Sequence, residues 1–154
     1  MSNSLSKVRL HNGQSMDMNR LVELLHDSGA TLVVESRGEV MTFTNRGVKD
    51  LFELYTNHRE LLQGARVADK VTGAGAAALM ALGGVAEYHT DVISEKALSL
   101  LDRAGVVGTA EKVVPYIINR AGTGQCPLES LIGDIDNLEE IYDVIVGFMD
   151  SLCP

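Results

Sequence analysis

Two short stretches of this chain combine residue types that do chemistry. One is Gly122-Thr123-Gly124-Gln125-Cys126-Pro127. Glycines let successive backbone N–H groups point into one concavity, and proline suits the first position of a helix. The stretch therefore reads as a loop running into a helix start. Positive potential at such an end favours anions and thiolates, which makes Cys126 a candidate nucleophile. Asn119 and Arg120 stand just before it and suit a carboxylate or a phosphate, with Gly122, Thr123 and Gly124 as the backbone cradle. The plainer alternative is a buried cysteine capping the helix, with the glycines serving the turn. The other stretch is Asp69-Lys70. Asp is a good N-cap, so the pair is expected to open a helix running from Asp69 to about Leu82. Charges at the start of a buried element want partners, which suggests an acid/base or anion-binding pair over the sheet edge. The alternative is that Asp69 only caps and Lys70 extends its stem outward.

Two further motifs are weaker. His58-Arg59-Glu60 matches H-x-E, but a base deaminase also needs P-C-x-x-C to complete its zinc ligands, and none follows. Gly73-Ala74-Gly75-Ala76-Ala77-Ala78 matches G-x-G-x-x-A. A dinucleotide fingerprint needs its glycines in a strand-to-helix turn, and a helix opened at Asp69 would put them inside the helix instead. Close packing of small residues is then the better account. His11, His26 and His89 show no metal-ligand spacing, and His89 reads as a satisfied strand residue.

The elements that must position these residues follow from hydrophobic periodicity. Residues 1–15 read as a loose arm, and 16–152 as one domain. A helix starts near Asp17, with Met18, Leu21, Val22 and Leu25 on one face, and stops at Ser28-Gly29. Thr31–Glu35 and Val40–Thr44 read as strands joined by a tight turn at Arg37-Gly38. Val48, Leu51, Phe52 and Tyr55 mark a second helix. After the Gly/Ala-rich helix, Ala86–Ile93 reads as a strand. Ser94 then caps a helix carrying Ala97, Leu98 and Leu101, and Val106-Val107 opens a further strand. Asn137 and Glu140 make a capping box for a last apolar helix. Helices and strands alternating in this order predict a three-layer α/β/α domain with a mixed sheet.

Composition excludes several function classes. Across 154 residues there are 13 Lys and Arg against 21 Asp and Glu, a net charge of −8. A broad nucleic-acid or anionic-membrane surface needs clustered cations, so neither partner is expected. Two cysteines, Cys126 and Cys153, are too few for a disulfide scaffold. The start of the chain has no apolar core of a signal peptide, and Ala74–Val85 is too short and glycine-rich to span a bilayer. A cytoplasmic location is expected by default.

The strings Val67-Ala68-Asp69-Lys70-Val71, Asp91-Val92-Ile93-Ser94-Glu95-Lys96-Ala97-Leu98 and the run from Pro115 to Glu129 together resemble a known family. It is an uncharacterised prokaryotic domain-of-unknown-function family with a cytidine-deaminase-like fold, and the resemblance runs from about Met18 to about Val146. It implies that fold and a pocket between two helix N-termini. In zinc deaminases H-x-E opens the helix after the hairpin, and P-C-x-x-C the helix after the third strand. By position these places fall to Asp69-Lys70 and Ser94-Glu95, so the resemblance implies a fold without zinc, and deaminase activity is not carried over.

The expectation is a small-molecule site, needing no cofactor, for an anionic or nucleotide-like ligand. Ser94, Glu95, Asn119, Arg120, Gly122, Thr123 and Gly124 would bind, and Asp69, Lys70 and Cys126 would supply any chemistry. The alternative is a non-catalytic ligand sensor or assembly module, in which homo-oligomers are one form.

Overall fold

The computed structural model describes residues 17–45, 47–119 and 121–152, and the backbone of 6–9. Arg120, His11 and Cys153 lie outside the described residues, as does most of the arm read over 1–15. Within that arm, Ser6–Arg9 forms strand β1 against Glu39–Phe43 (β3), so these four residues are sheet rather than loose arm. The outer edge of β3 would otherwise need partners for its N–H and C=O groups, and the short edge strand β1 supplies them.

Helix α1 (Met18–Asp27) begins where Asp17 caps the Arg20 amide at 3.0 Å, and it buries Leu21 and Leu25. Strands β2 (Leu32–Ser36) and β3 form the expected hairpin. Its turn residues Arg37 and Gly38 have φ of 54° and 78°, the left-handed pair that matches strand twist. Helix α2 (Lys49–Asn57) follows, then a short 3-10 turn at Arg59–Leu61.

The next element departs from the expectation. Arg66–Thr72 is strand β4, not the approach to a helix. Asp69 and Lys70 lie within this strand and cap nothing. β4 runs antiparallel to β2 and parallel to β5 (Glu87–Ser94), with Asp69 opposite both Leu32 and Thr90. A strand flanked on both sides has its backbone fully satisfied, and that outweighs the local capping preference of Asp. Helix α3 (Ala74–Gly83) starts only after Gly73, and ends at Gly84, whose φ is 82°. Gly73 therefore sits in the strand-to-helix turn, which corrects its placement inside the helix, whereas Gly75 lies within α3 as expected.

Ser94 caps α4 (Glu95–Arg103) as expected, accepting from the Ala97 amide at 3.2 Å. Strand β6 (Val107–Val114) is parallel to β5. Helices α5 (Pro127–Ile132) and α6 (Leu138–Leu152) close the chain, and Asn137 accepts from the Glu140 amide at 2.9 Å, half of the expected capping box.

The sheet order is β1-β3-β2-β4-β5-β6. α1 covers one face, in a small core with Ala30, Val33, Val40 and Ala68. The main core lies on the other face, where α3 contacts α2, α4, α5 and α6. This is a mixed α/β sheet between two helical layers. Every side chain of α3 from Ala74 to Met80 is buried. Small residues permit that: a Cβ on Gly75 would meet Leu128 at 2.7 Å, and one on Gly83 would meet Leu62 at 2.7 Å. Among the described residues no helix is long and apolar enough to cross a membrane.

Candidate functional site

The loops after β4, β5 and β6 all emerge at the C-terminal ends of three parallel strands, where open α/β sheets commonly bind ligands. A residue not singled out by the sequence organises this end. Glu129, in the first turn of α5, is 6% exposed. Its Oε2 accepts from the Ala74 amide at 2.9 Å and from the Ser94 hydroxyl at 2.5 Å. Its Oε1 accepts from the Ile117 amide at 2.7 Å. One carboxyl group thus joins the start of α3, the cap of α4 and the segment after β6. Orphan amides at helix starts need acceptors, and here the chain supplies its own. The strand-turn-helix setting of a G-x-G-x-x-A motif is present at Gly73, yet the amide that would face a ligand phosphate is bonded to Glu129.

Beside this node lies a cleft of about 380 Å³, lined by Val71, Val92, Val114, Pro115, Tyr116, Ile117 and Ile118. Its lining side chains are apolar apart from the Tyr116 hydroxyl. Val71, Tyr116 and Ile118 are substantially exposed, so the apolar wall faces solvent.

Asp69 occupies a second polar node. Its Oδ2 and the Thr72 hydroxyl are 2.9 Å apart, Thr72 and Thr90 hydroxyls are 2.9 Å apart, and the Thr90 hydroxyl donates to the Val92 carbonyl at 2.9 Å. Strict strand alternation would put Asp69 and Thr72 on opposite faces. Their contact marks a local break at Lys70, whose pairing with β5 is missing between Asp69↔Thr90 and Val71↔Val92 while the register stays the same. Burial pushes the Asp69 pKa up to about 7. Hydrogen bonds from Thr72 and from the backbone at Lys70 and Val71 offset only part of that rise, and the charge of Asp91 adds to it.

The other expected site residues are dispersed. Lys70 is half-exposed, and its amide bonds the Thr31 carbonyl at 3.1 Å. Ser94 is buried against Glu129, while Glu95 is exposed. Cys126 is half-buried against the main core, and its amide donates to the Ile117 carbonyl at 2.7 Å. The 119–124 loop closes on itself. Asn119 accepts from the Thr123 amide at 3.0 Å and donates to the Thr123 hydroxyl at 3.1 Å, and the Asn119 amide donates to the Gly124 carbonyl at 2.8 Å. Gly122 adopts φ 72° in the turn. None of Asp69, Lys70, Ser94 and Cys126 lines the cleft.

A further cluster lies at β5. His26 Nε2 stands 2.8 Å from Asp91 Oδ2. His89 Nδ1 is 2.9 Å from the Thr109 hydroxyl, whereas its buried Nε2 has no hydrogen-bond partner and stands 3.6 Å from Asp91 and 3.7 Å from Glu111. Only half of His89 is therefore satisfied. Among the described residues no group of three or more His, Cys, Asp or Glu side chains is arranged to hold a metal ion.

Residues 20–149 match the model of the family described as a domain of unknown function, DUF1893 (TM1506), and the chain belongs to that family. The fold is shared with a DUF1893 family protein (TM1506) from Thermotoga maritima, known from its crystal structure. The two align with a TM-score of 0.78 and 24% identity, over 89% of this chain and 95% of that one. No curated protein matches.

Proposed function

We propose that the chain is a non-catalytic binding module whose ligand lies in the cleft across the ends of β4, β5 and β6. The ligand class is a small neutral molecule with a flat or aliphatic apolar body. One observation carries this reading: the apolar walls of Val71, Val92 and Val114 adjoin helix starts whose anion-binding groups are taken by Glu129. An anionic or nucleotide-like ligand would have to displace that carboxyl group. Chemistry by Asp69, Lys70 and Cys126 would need them brought to one reactive centre.

A cytidine-deaminase-like fold without its metal residues is part of this proposal. In support, a hairpin, β2 and β3, is followed by a helix, and the next strand, β4, by another. The helix starts that would carry ligands are then those of α2, at Val48-Lys49-Asp50, and of α3, at Gly73-Ala74. Neither carries His or Cys. Asp50 is engaged instead with Asn45, accepting from its amide at 3.0 Å and its side chain at 2.7 Å. On this reading these positions, rather than Asp69-Lys70 and Ser94-Glu95, would be the counterparts of the two zinc motifs.

Thermal-shift titration tests the reading. Neutral aromatic compounds should raise the melting temperature of the wild type and not of Val92→Glu, while inorganic phosphate should raise neither. Stabilisation of the wild type by phosphate or nucleotides, with none by neutral aromatics, overturns it. A second reading, self-association, is favoured by β6, an edge strand exposing Val107 and Val113. Sedimentation equilibrium decides it.

A further inference from the structure

We infer that occupancy of the cleft is linked to protonation of Asp69 through a chain of hydroxyls that ends in the cleft wall. The inference rests on the cleft being the ligand site. It begins with a count of protons. The Thr90 hydroxyl has one proton, and it is committed to the Val92 carbonyl. The proton between Thr72 and Thr90 must then come from Thr72. Thr72 Oγ1 also faces Asp69 Oδ2 as a donor, but its one proton cannot serve both contacts, so in the inferred chain this third contact takes its proton from a neutral carboxyl group. A neutral Asp69 therefore completes the chain Asp69→Thr72→Thr90→Val92 with one proton per link.

An ionised Asp69 breaks the chain. Thr72 must turn its proton back to the carboxylate, and two hydroxyl oxygens then face each other unless Thr90 releases the Val92 carbonyl. Val71 lies between Asp69 and Thr72 in β4, Val92 accepts the last bond, and both line the cleft. The strand segments that carry the chain are thus the wall of the site. A neutral ligand packed against that wall favours the arrangement in which Thr90 keeps the Val92 carbonyl bonded, the one a neutral Asp69 completes, so binding takes up a proton. By reciprocity, the ligand binds more tightly when Asp69 is protonated.

Other titratable groups face this region. Asp91 in β5 acts on Asp69 through its charge. Asp91 is held in turn by His26 of α1 and faces His89, which also faces Glu111 of β6. A variant is needed to separate Asp69 from them.

The test uses the neutral fluorophore phenylnaphthylamine and the full chain. Its affinity is measured from about pH 5.5 to about pH 8.5. Binding on the order of tenfold tighter at the acid end is expected for the wild type. Asp69→Asn, which keeps a donor toward Thr72, should bind at every pH as the wild type does in acid. Thr72→Val should lose the pH dependence by cutting the chain. The carboxyl carbon of Asp69, followed by NMR, should titrate at higher pH with the fluorophore bound. Binding of equal strength across the range, or an unmoved Asp69 titration, overturns the linkage and leaves the cleft reading intact. No binding at any pH overturns the cleft reading, and the linkage falls with it.

Discussion

Removing the Glu129 carboxyl group should both weaken the fold and open an anion site. Glu129→Ala leaves the Ala74 amide, the Ile117 amide and the Ser94 hydroxyl without the acceptor they share. Hydrogen bonds to a charged group contribute about 1.5–3 kcal/mol each, and buried donors left unpaired cost about 1–3 kcal/mol. Three such contacts are not additive, because they meet one group, and water entering the space restores part of the loss. An overall destabilisation of about 3–5 kcal/mol is the expected order. Glu129→Gln should recover little, because its amide nitrogen puts a donor where a donor already points. Urea unfolding at neutral pH measures both variants. Acetate or formate should then stabilise Glu129→Ala in a saturable way, by filling the vacated position, and leave the wild type unmoved. A loss under about 1 kcal/mol, or equal stabilisation of wild type and variant by acetate, would refute the assignment of Glu129 as the group that holds α3, α4 and the 117 segment together.

Two further outcomes follow from other contacts. The Asp69 pKa is raised on folding, so the folded chain holds a proton that the unfolded chain releases near pH 4; stability from this group is full in acid and is lost as pH rises to about 7. Asp69→Asn should therefore gain on the wild type by about 3 kcal/mol between about pH 5 and about pH 8 in urea unfolding, and a constant difference across that range would contradict the buried neutral acid. At Gly108 a Cβ would lie 2.2 Å from the Tyr88 ring, so Gly108→Ala should cost about 1–3 kcal/mol, whereas Gly124→Ala, with open space around it, should be near neutral by thermal unfolding.

Much of the fold is legible in the sequence where one local signal acts alone. Asp17, Ser94 and Asn137 cap helices where their side chains can reach the next free amide, and Arg37-Gly38 turns a hairpin because the backbone there must be left-handed. β4 is illegible for a physical reason. Its Asp69-Lys70 pair carries a strong capping preference, while its place between β2 and β5 is a long-range fact that no local window contains. The consequence extends along the chain: once Asp69 is made a cap, Gly73 falls inside a helix instead of in the turn before α3.

The site is less legible, because its organising residue looks ordinary. Glu129 stands three residues after Cys126 in the first turn of α5, where an exposed acid commonly complements the helix dipole. Nothing local distinguishes it from such an acid. Its role arises from α3, α4 and the segment after β6 meeting at one point, fifty-five residues from Ala74 and thirty-five from Ser94 in sequence. The glycine-rich loop misleads in the opposite sense. Gly122, Thr123 and Gly124 have the composition of an anion cradle, yet Asn119 and Thr123 consume each other's polar groups, and the loop's bonds close within it. Composition reports which groups can bind an anion; only packing decides whether the chain has already bound them itself. Both nodes at the strand ends obey that distinction, since Glu129 satisfies the helix starts and Asp69 is bonded to Thr72, which is bonded in turn to Thr90. What is left facing solvent between them is the apolar wall of Val71 and Val92, a surface that favours a neutral ligand over an anion.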